Sequence, residues 1–246
     1  MEVHAHTHTS RKKWTHYFWE FLMLFLAVFC GFLAEYQLEH KIEKDREKQY
    51  MVSLLEDLHI DTTTLQEEYE LGEQQKMIVD TLLETINNHP TTPDIIKKIY
   101  LLSSNSTRVV NAVFENRTSS QLKNSGGMRL IRKKRVSDSL LSYWQNAEIC
   151  NSISDRLDFI AGGRFDVNAR LFHNKYLIRD GGIMTPVSEI KEGASLINSD
   201  PALLAEYSNR TYSRKGVLNN YLLNMKRTKE KAVRLMEIIR NEYDLE

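Results

Sequence analysis

Residues 17–34 read YFWEFLMLFLAVFCGFLA, and Glu20 is the sole formal charge among them. Wound as an α-helix, this stretch rises about 27 Å at ~1.5 Å per residue, close to the ~30 Å hydrocarbon core of a bilayer. Trp14, Tyr17 and Trp19 gather at one end and Tyr36 stands at the other, where amphipathic rings settle at a membrane surface. Nine aromatics fall between positions 14 and 36, a density that core helices rarely collect. A cleaved leader needs small residues before its cut, but Cys30 and Phe32 flank a lone Gly31. A lipid-modified cysteine needs a small residue just before it, and Phe29 precedes Cys30. The stretch therefore predicts a transmembrane helix over 17–36, and the remaining sequence is read outward from it.

Upstream, residues 1–16 form a basic tail with His4, His6 and His8 at alternate positions, followed by Arg11, Lys12 and Lys13. In an extended chain the three imidazoles share a side and could hold zinc or copper. A fixed site also needs a fourth ligand and an orienting second shell, so the expectation is a solvated tail with these histidines as weak metal candidates. Three cations precede the span, and Lys41, Lys44, Arg46 and Lys48 follow it. The early three are consecutive and closer to the apolar edge, which favours an N-terminus inside and a large C-terminal part outside the cytoplasm.

Downstream, the formal net charge of zero conceals a division. Residues 35–90 carry 14 acids against 5 bases, whereas residues 91–246 carry 25 bases against 17 acids. The zero total gives no overall pull toward nucleic acid, and the division suggests that acidic and basic parts face each other. Four prolines and ten glycines are few for this length, which favours long helices. Cys150 is alone in the water-facing part, which predicts a buried thiol and no intrachain disulfide.

EHKIEKDREKQY (residues 39–50) alternates charge without proline or glycine, and reads as the membrane helix continuing into water. From Met51 the apolar spacing becomes regular: Leu55, Leu58, Thr62, Leu65 and Tyr69, then Val79, Leu83 and Ile86, with Gly72 and Lys76 as interruptions. Such a heptad-like face over 37–90 requires partner helices. The run NNHPTTPD breaks the chain at 87–94, with Thr92 as N-cap and Pro93 at the first helical position of the next helix. Residues 91–246 are expected to supply the rest of the bundle. One helix carries Leu140, Trp144, Ala147, Cys150, Ile153, Leu157 and Ile160 on a face, and is ended or kinked at Gly162 and Gly163. A final helix begins after a cap at Ser199, with Leu204, Tyr207, Leu218, Tyr221, Met225, Leu235 and Ile239 on its face. No convincing strand pattern competes. The predicted fold is all-α, an N-terminal transmembrane helix continuing into a soluble helical bundle.

The span, REKQYMVSLLEDL (Arg46 to Leu58) and FENRTSSQLKNSGGMRLIR (Phe114 to Arg132) are similar to a family of uncharacterised single-span membrane proteins from Bacteroidota. The resemblance implies a bacterial membrane protein with a helical soluble portion, and supplies no catalytic residue.

The most distinctive local stretch is QLKNSGGMRLIRKKR, residues 121–135. A short helix from about Thr118 should stop at Asn124 or Ser125, with Gly126 in the left-handed conformation that glycine tolerates. Asn124, Gly126, Gly127, Arg129, Arg132, Lys133, Lys134 and Arg135 could then receive an anion, lipid headgroups or a partner. The alternative is a helix stop followed by a solvated basic edge. No phosphate-loop, G-x-S-x-G or H-E-x-x-H pattern occurs, so neither cofactor nor catalytic activity is expected. The leading expectation is a membrane-anchored interaction or structural module of the bacterial inner membrane, contacting lipid and another envelope protein or a second copy. A ligand-sensing bundle acting through a partner comes next, and an enzyme with an unfamiliar site is the remote third.

Overall fold

A computed structural model describes residues 14–87, 92–182 and 185–245. Among these, five α-helices account for nearly all regular structure: α1 (Trp14–Asn87), α2 (Pro93–Asn105), α3 (Arg117–Asn124), α4 (Lys134–Leu171) and α5 (Pro201–Tyr243). The fold is all-α, as the hydrophobic periodicity predicts. The chain divides into two compact units, one ending at Gln49 and one beginning at Tyr50, and α1 contributes to both.

The first unit is the N-terminal part of α1. It contains an 18-residue window of mean hydropathy 2.0, none of it buried, long and apolar enough to cross a membrane. Its rings stack along the helix at the i,i+4 spacing that places side chains one above the other. Phe21 lies 6.2 Å from Phe25, and Phe25 lies 5.8 Å from Phe29. Glu20 accepts an i,i+4 partner at 3.1 Å, the Nε2 of His16.

The second unit is built on three long staves: α1 from Tyr50, α4 and α5. On α1 the residues turned inward are Met51, Leu54, Leu58, Asp61, Leu65, Gly72, Gln75, Val79, Leu82 and Ile86. Their steps are of three and four except from Leu65 to Gly72, one full heptad with only half-buried residues at 68 and 69. The row Met51, Leu58, Leu65, Val79 and Ile86 is buried as expected, and so is Leu83, but the other members of the expected second row are not. Leu55, Thr62 and Tyr69 are only half-buried, while Leu54, Asp61, Gln75 and Leu82 turn inward. Gly72 does not interrupt the seam but completes it, since a Cβ there would stand 2.5 Å from Leu222 Cδ2. Helix α4 repeats the pattern through Val136, Leu140, Tyr143, Ala147, Cys150, Ser154, Leu157, Arg164 and Leu171. Helix α5 does so through Tyr207, Thr211, Arg214, Leu218, Tyr221, Met225, Thr228, Ala232, Leu235 and Ile239.

Several local expectations hold. Thr92 caps α2, accepting the Ile95 amide, with Pro93 first in the helix. Helix α3 stops at Asn124, and Gly126 follows at φ +67°. Cys150 is fully buried, and burial pushes its thiol pKa up. Three expectations need correction. Gly162 and Gly163 do not end α4, because the seam beyond them, Arg164, Val167 and Leu171, continues to find buried partners. The cap of α5 is Asp200, not Ser199: its Oδ1 accepts the Ala202 amide at 2.9 Å, and Pro201 presets the first turn. A short antiparallel hairpin, β1 (Leu177–Arg179) and β2 (Val187–Ile190), brackets the glycine-bearing turn that reads as loop in the sequence. Val187 and Ile190 of the hairpin are buried against Tyr100, Phe172 and Tyr207.

Candidate functional site

The acidic face of α1 holds an extended segment. Residues 108–116 lie without regular structure between α2 and α3, so their backbone N–H groups need acceptors from elsewhere. Carboxylates on α1 supply them. Glu68 accepts the Asn111 amide at 2.9 Å and Asp61 Oδ1 the Glu115 amide at 2.7 Å, while just beyond the segment, in the first turn of α3, Asp57 Oδ2 accepts the Thr118 amide at 3.0 Å. From α5, Tyr221 Oη accepts the Ala112 amide at 2.9 Å. Arg117 completes the grip, reaching Asp57 at 2.7 Å and Glu56 at 3.1 Å. In this contact the later part supplies one base to acidic α1, Arg117, and the other bonds run from carboxylates to backbone amides.

Asp61 is a polar member of the α1 seam. Its Oδ2 accepts the Tyr143 hydroxyl at 2.5 Å. Desolvation by burial raises its pKa to about 6, opposed by the Tyr143 and Glu115 bonds. Burial, then the Asp61 charge, drives the Tyr143 hydroxyl well above its usual range.

A second polar layer is cationic. Arg164 of α4 is 0 % exposed and Arg214 of α5 is 1 % exposed. Arg164 Nη2 donates to Ser106 Oγ at 2.7 Å, to Tyr207 Oη at 2.6 Å and to the Ser103 carbonyl at 3.3 Å. Arg214 Nη2 donates to the Arg108 carbonyl at 3.1 Å. Neither forms an ion pair among the described residues. Burial lowers the Arg214 pKa to about 10, and the neighbouring Arg164 charge pushes the same way. These arginines were not foreseen, although their place on the three-four stepping between Leu157 and Leu171, and between Tyr207 and Leu218, was a usable signal.

The basic turn lies at the end of the second unit where Met51 and Leu54 meet Ile238 and Ile239. Leu122, Ile131 and Val136 of the turn pack into that cluster. Gly127 is buried, and a Cβ there would meet Leu122 Cδ2 at 3.1 Å. Asn124, Gly126, Arg129, Arg132, Lys133, Lys134 and Arg135 are exposed. Lys133 lies 3.6 Å from Glu242. The turn is therefore a packed helix stop carrying a solvated cationic rim. His4, His6 and His8 lie outside the described residues, among which no cluster of three or more potential metal ligands occurs.

Between α1 and α5 runs an open groove of about 640 Å³, with Leu65, Tyr69, Met225 and Val233 on its apolar part and Lys226, Lys229, Glu230, Arg234 and Glu237 around it. No protein-family model, curated protein or solved structure matches this chain.

Proposed function

We propose that the protein is a membrane-anchored helical interaction or structural module of the bacterial cell envelope. The observation that carries this reading is the composition of α1. One helix bears an uncovered apolar stretch long enough to cross a bilayer and also serves as a stave of a heptad-packed bundle. Lipid holds the first part, and the second part supplies a helical surface for a partner. The α1–α5 groove is a seat for a partner helix, since it offers an apolar floor between charged rims, the usual form of helix-in-groove recognition. The partner is another envelope protein or a second copy. Single-pass insertion in the inner membrane places the N-terminal cations on the cytoplasmic side.

A photo-crosslinking residue at Val233 or Tyr69 in intact cells tests the reading. An adduct to a discrete partner or to a second copy is expected, and the absence of both overturns it. Alkaline phosphatase fused after Glu246 should be active, and an inactive fusion reverses the orientation. A second reading, a ligand-responsive bundle, is favoured by the buried arginine pair.

A further inference from the structure

Two buried guanidiniums without an acid are costly, because an uncompensated charge in a protein interior loses its hydration. Their Nη2 atoms satisfy carbonyls and hydroxyls near the C-terminal end of α2, but Nε and Nη1 of both Arg164 and Arg214 have no hydrogen-bond partner among the described residues. Asp158 offsets part of the Arg214 charge without bonding to it. The wall these arginines lean on, residues 103–108, has a second side. That side lines a cavity of about 480 Å³ bounded by α1 and the β1–β2 hairpin, a size typical of small-molecule sites. Arg108 and Arg179 both line the cavity and no acidic residue does. Neither makes an ion pair among the described residues. Gln75, 3 % exposed, also lines the cavity with its Oε1 unpartnered. The wall is held in place by Asn105, which donates to the Val187 carbonyl at 3.0 Å and accepts the Val187 amide at 2.8 Å.

We propose that this cavity binds a small oxyanion that also carries a hydrogen-bond donor, the negative group held by Arg108 and Arg179 and the donor by Gln75 Oε1. The buried pair behind the wall supplies a fixed positive field that costs no reorganisation when the anion arrives. In return, the bound anion relieves the uncompensated charge of that pair, so occupancy stabilises the second unit. Guanidinium forks suit oxygen anions better than halides, because two parallel N–H groups match two oxygens. The apolar wall of Ile78, Val109 and Pro186 leaves room for an organic body. This site goes beyond the anchoring and docking reading and stands whether or not that reading does.

Inorganic phosphate, an oxyanion with its own O–H donor at neutral pH, is the first probe, and citrate the second. Calorimetric titration of the full chain in detergent, at ionic strength held constant with sodium chloride, should show saturable binding of at least one of them. At one hundred times the dissociation constant the melting temperature should rise by about 5–10 °C. The Arg108→Gln/Arg179→Gln double variant should lose at least tenfold in affinity and the anion-dependent rise in melting temperature; each melt is referred to the same variant in chloride alone, because Arg179 also donates to the Thr185 carbonyl. Equal affinity in wild type and double variant overturns the proposal, as does failure of both anions to bind the wild type at 10 mM.

Discussion

Asp61 shows how one side chain can serve three elements at once. It belongs to the buried seam of α1, accepts an amide from the extended segment, and accepts the Tyr143 hydroxyl from α4. Its raised pKa means that the folded state holds its proton more tightly than the unfolded state does. Between about pH 3.8 and 6 the native chain therefore binds more protons, and the contribution of this group to stability falls as pH rises through that window. The two values bound the effect at about 3 kcal/mol. Asp61→Asn keeps an acceptor for the Glu115 amide and cannot titrate. Its stability relative to wild type should improve steadily from pH 4 to 6.5, measured by urea unfolding at each pH; a constant difference would contradict the assignment. Two glycines make a second pair of predictions. Gly72→Ala gains up to about 1 kcal/mol of helix propensity but drives Cβ into Leu222, which costs about 1–3 kcal/mol, so net destabilisation is expected. A Cβ on Gly216 in α5 meets nothing within 4 Å, so Gly216→Ala should stabilise by about 0.5–1 kcal/mol. Thermal melts of the two variants should move in opposite directions.

Segment 108–116 keeps its course although it is neither helix nor strand, because carboxylates of α1 stand in for a neighbouring strand's carbonyls. Asp57→Ala removes the acceptor of the Thr118 amide and the partner of Arg117. The loss should cost about 1–3 kcal/mol, the penalty of a buried donor left unmade. Hydrogen exchange should localise the damage, with the Thr118 amide exposed first and the Ala112 amide, held by Tyr221 of α5, least affected. Exchange that rises uniformly across α4 and α5 instead would refute a local grip. This device also shows what periodicity can and cannot reveal. The apolar row Met51, Leu58, Leu65, Val79, Ile86 was legible because each member is hydrophobic. In the second row Leu83 is buried as expected, but Asp61 and Gln75 occupy inward positions that an apolar criterion rejects, whereas Leu55, Thr62 and Tyr69 are only half-buried. Gly162 and Gly163 do not end the helix for a related reason: local helix propensity is weak there, yet burial of Arg164, Val167 and Leu171 overrides it. The hairpin was hidden by strands of three and four residues. The turn at Gly126 was legible to the residue, since a short helix ending before paired glycines has few other solutions. The arginine layer was not, because a lone charge is ordinarily a surface residue and only its phase in the heptad marks it as buried.

The charge division of the whole sequence is realised mainly within the second unit. Lys215 reaches Asp80 at 2.7 Å and Arg117 reaches Asp57 at 2.7 Å, in each case from a later segment back to α1. Of these, only Arg117–Asp57 has a buried member, Asp57; a partly exposed pair such as Lys215–Asp80 contributes little singly, so the unit's stability rests on its seam and its buried clusters. Among the described residues, those clusters draw on residues from Tyr50 onward. Removing residues 1–49 should therefore detach the protein from the membrane without changing how the second unit folds. In the full chain, alkaline carbonate should leave the protein in the membrane pellet, because the apolar window of α1 is not buried by any of the described residues. The fragment from residue 50 should appear in the soluble fraction and give the same melting temperature as the full chain in mild detergent, to within about 2 °C. Release of the full chain by carbonate would remove the anchor. A fragment that melts several degrees lower would instead show that α1 upstream of Tyr50 stiffens the bundle, as an unfrayed helix end would.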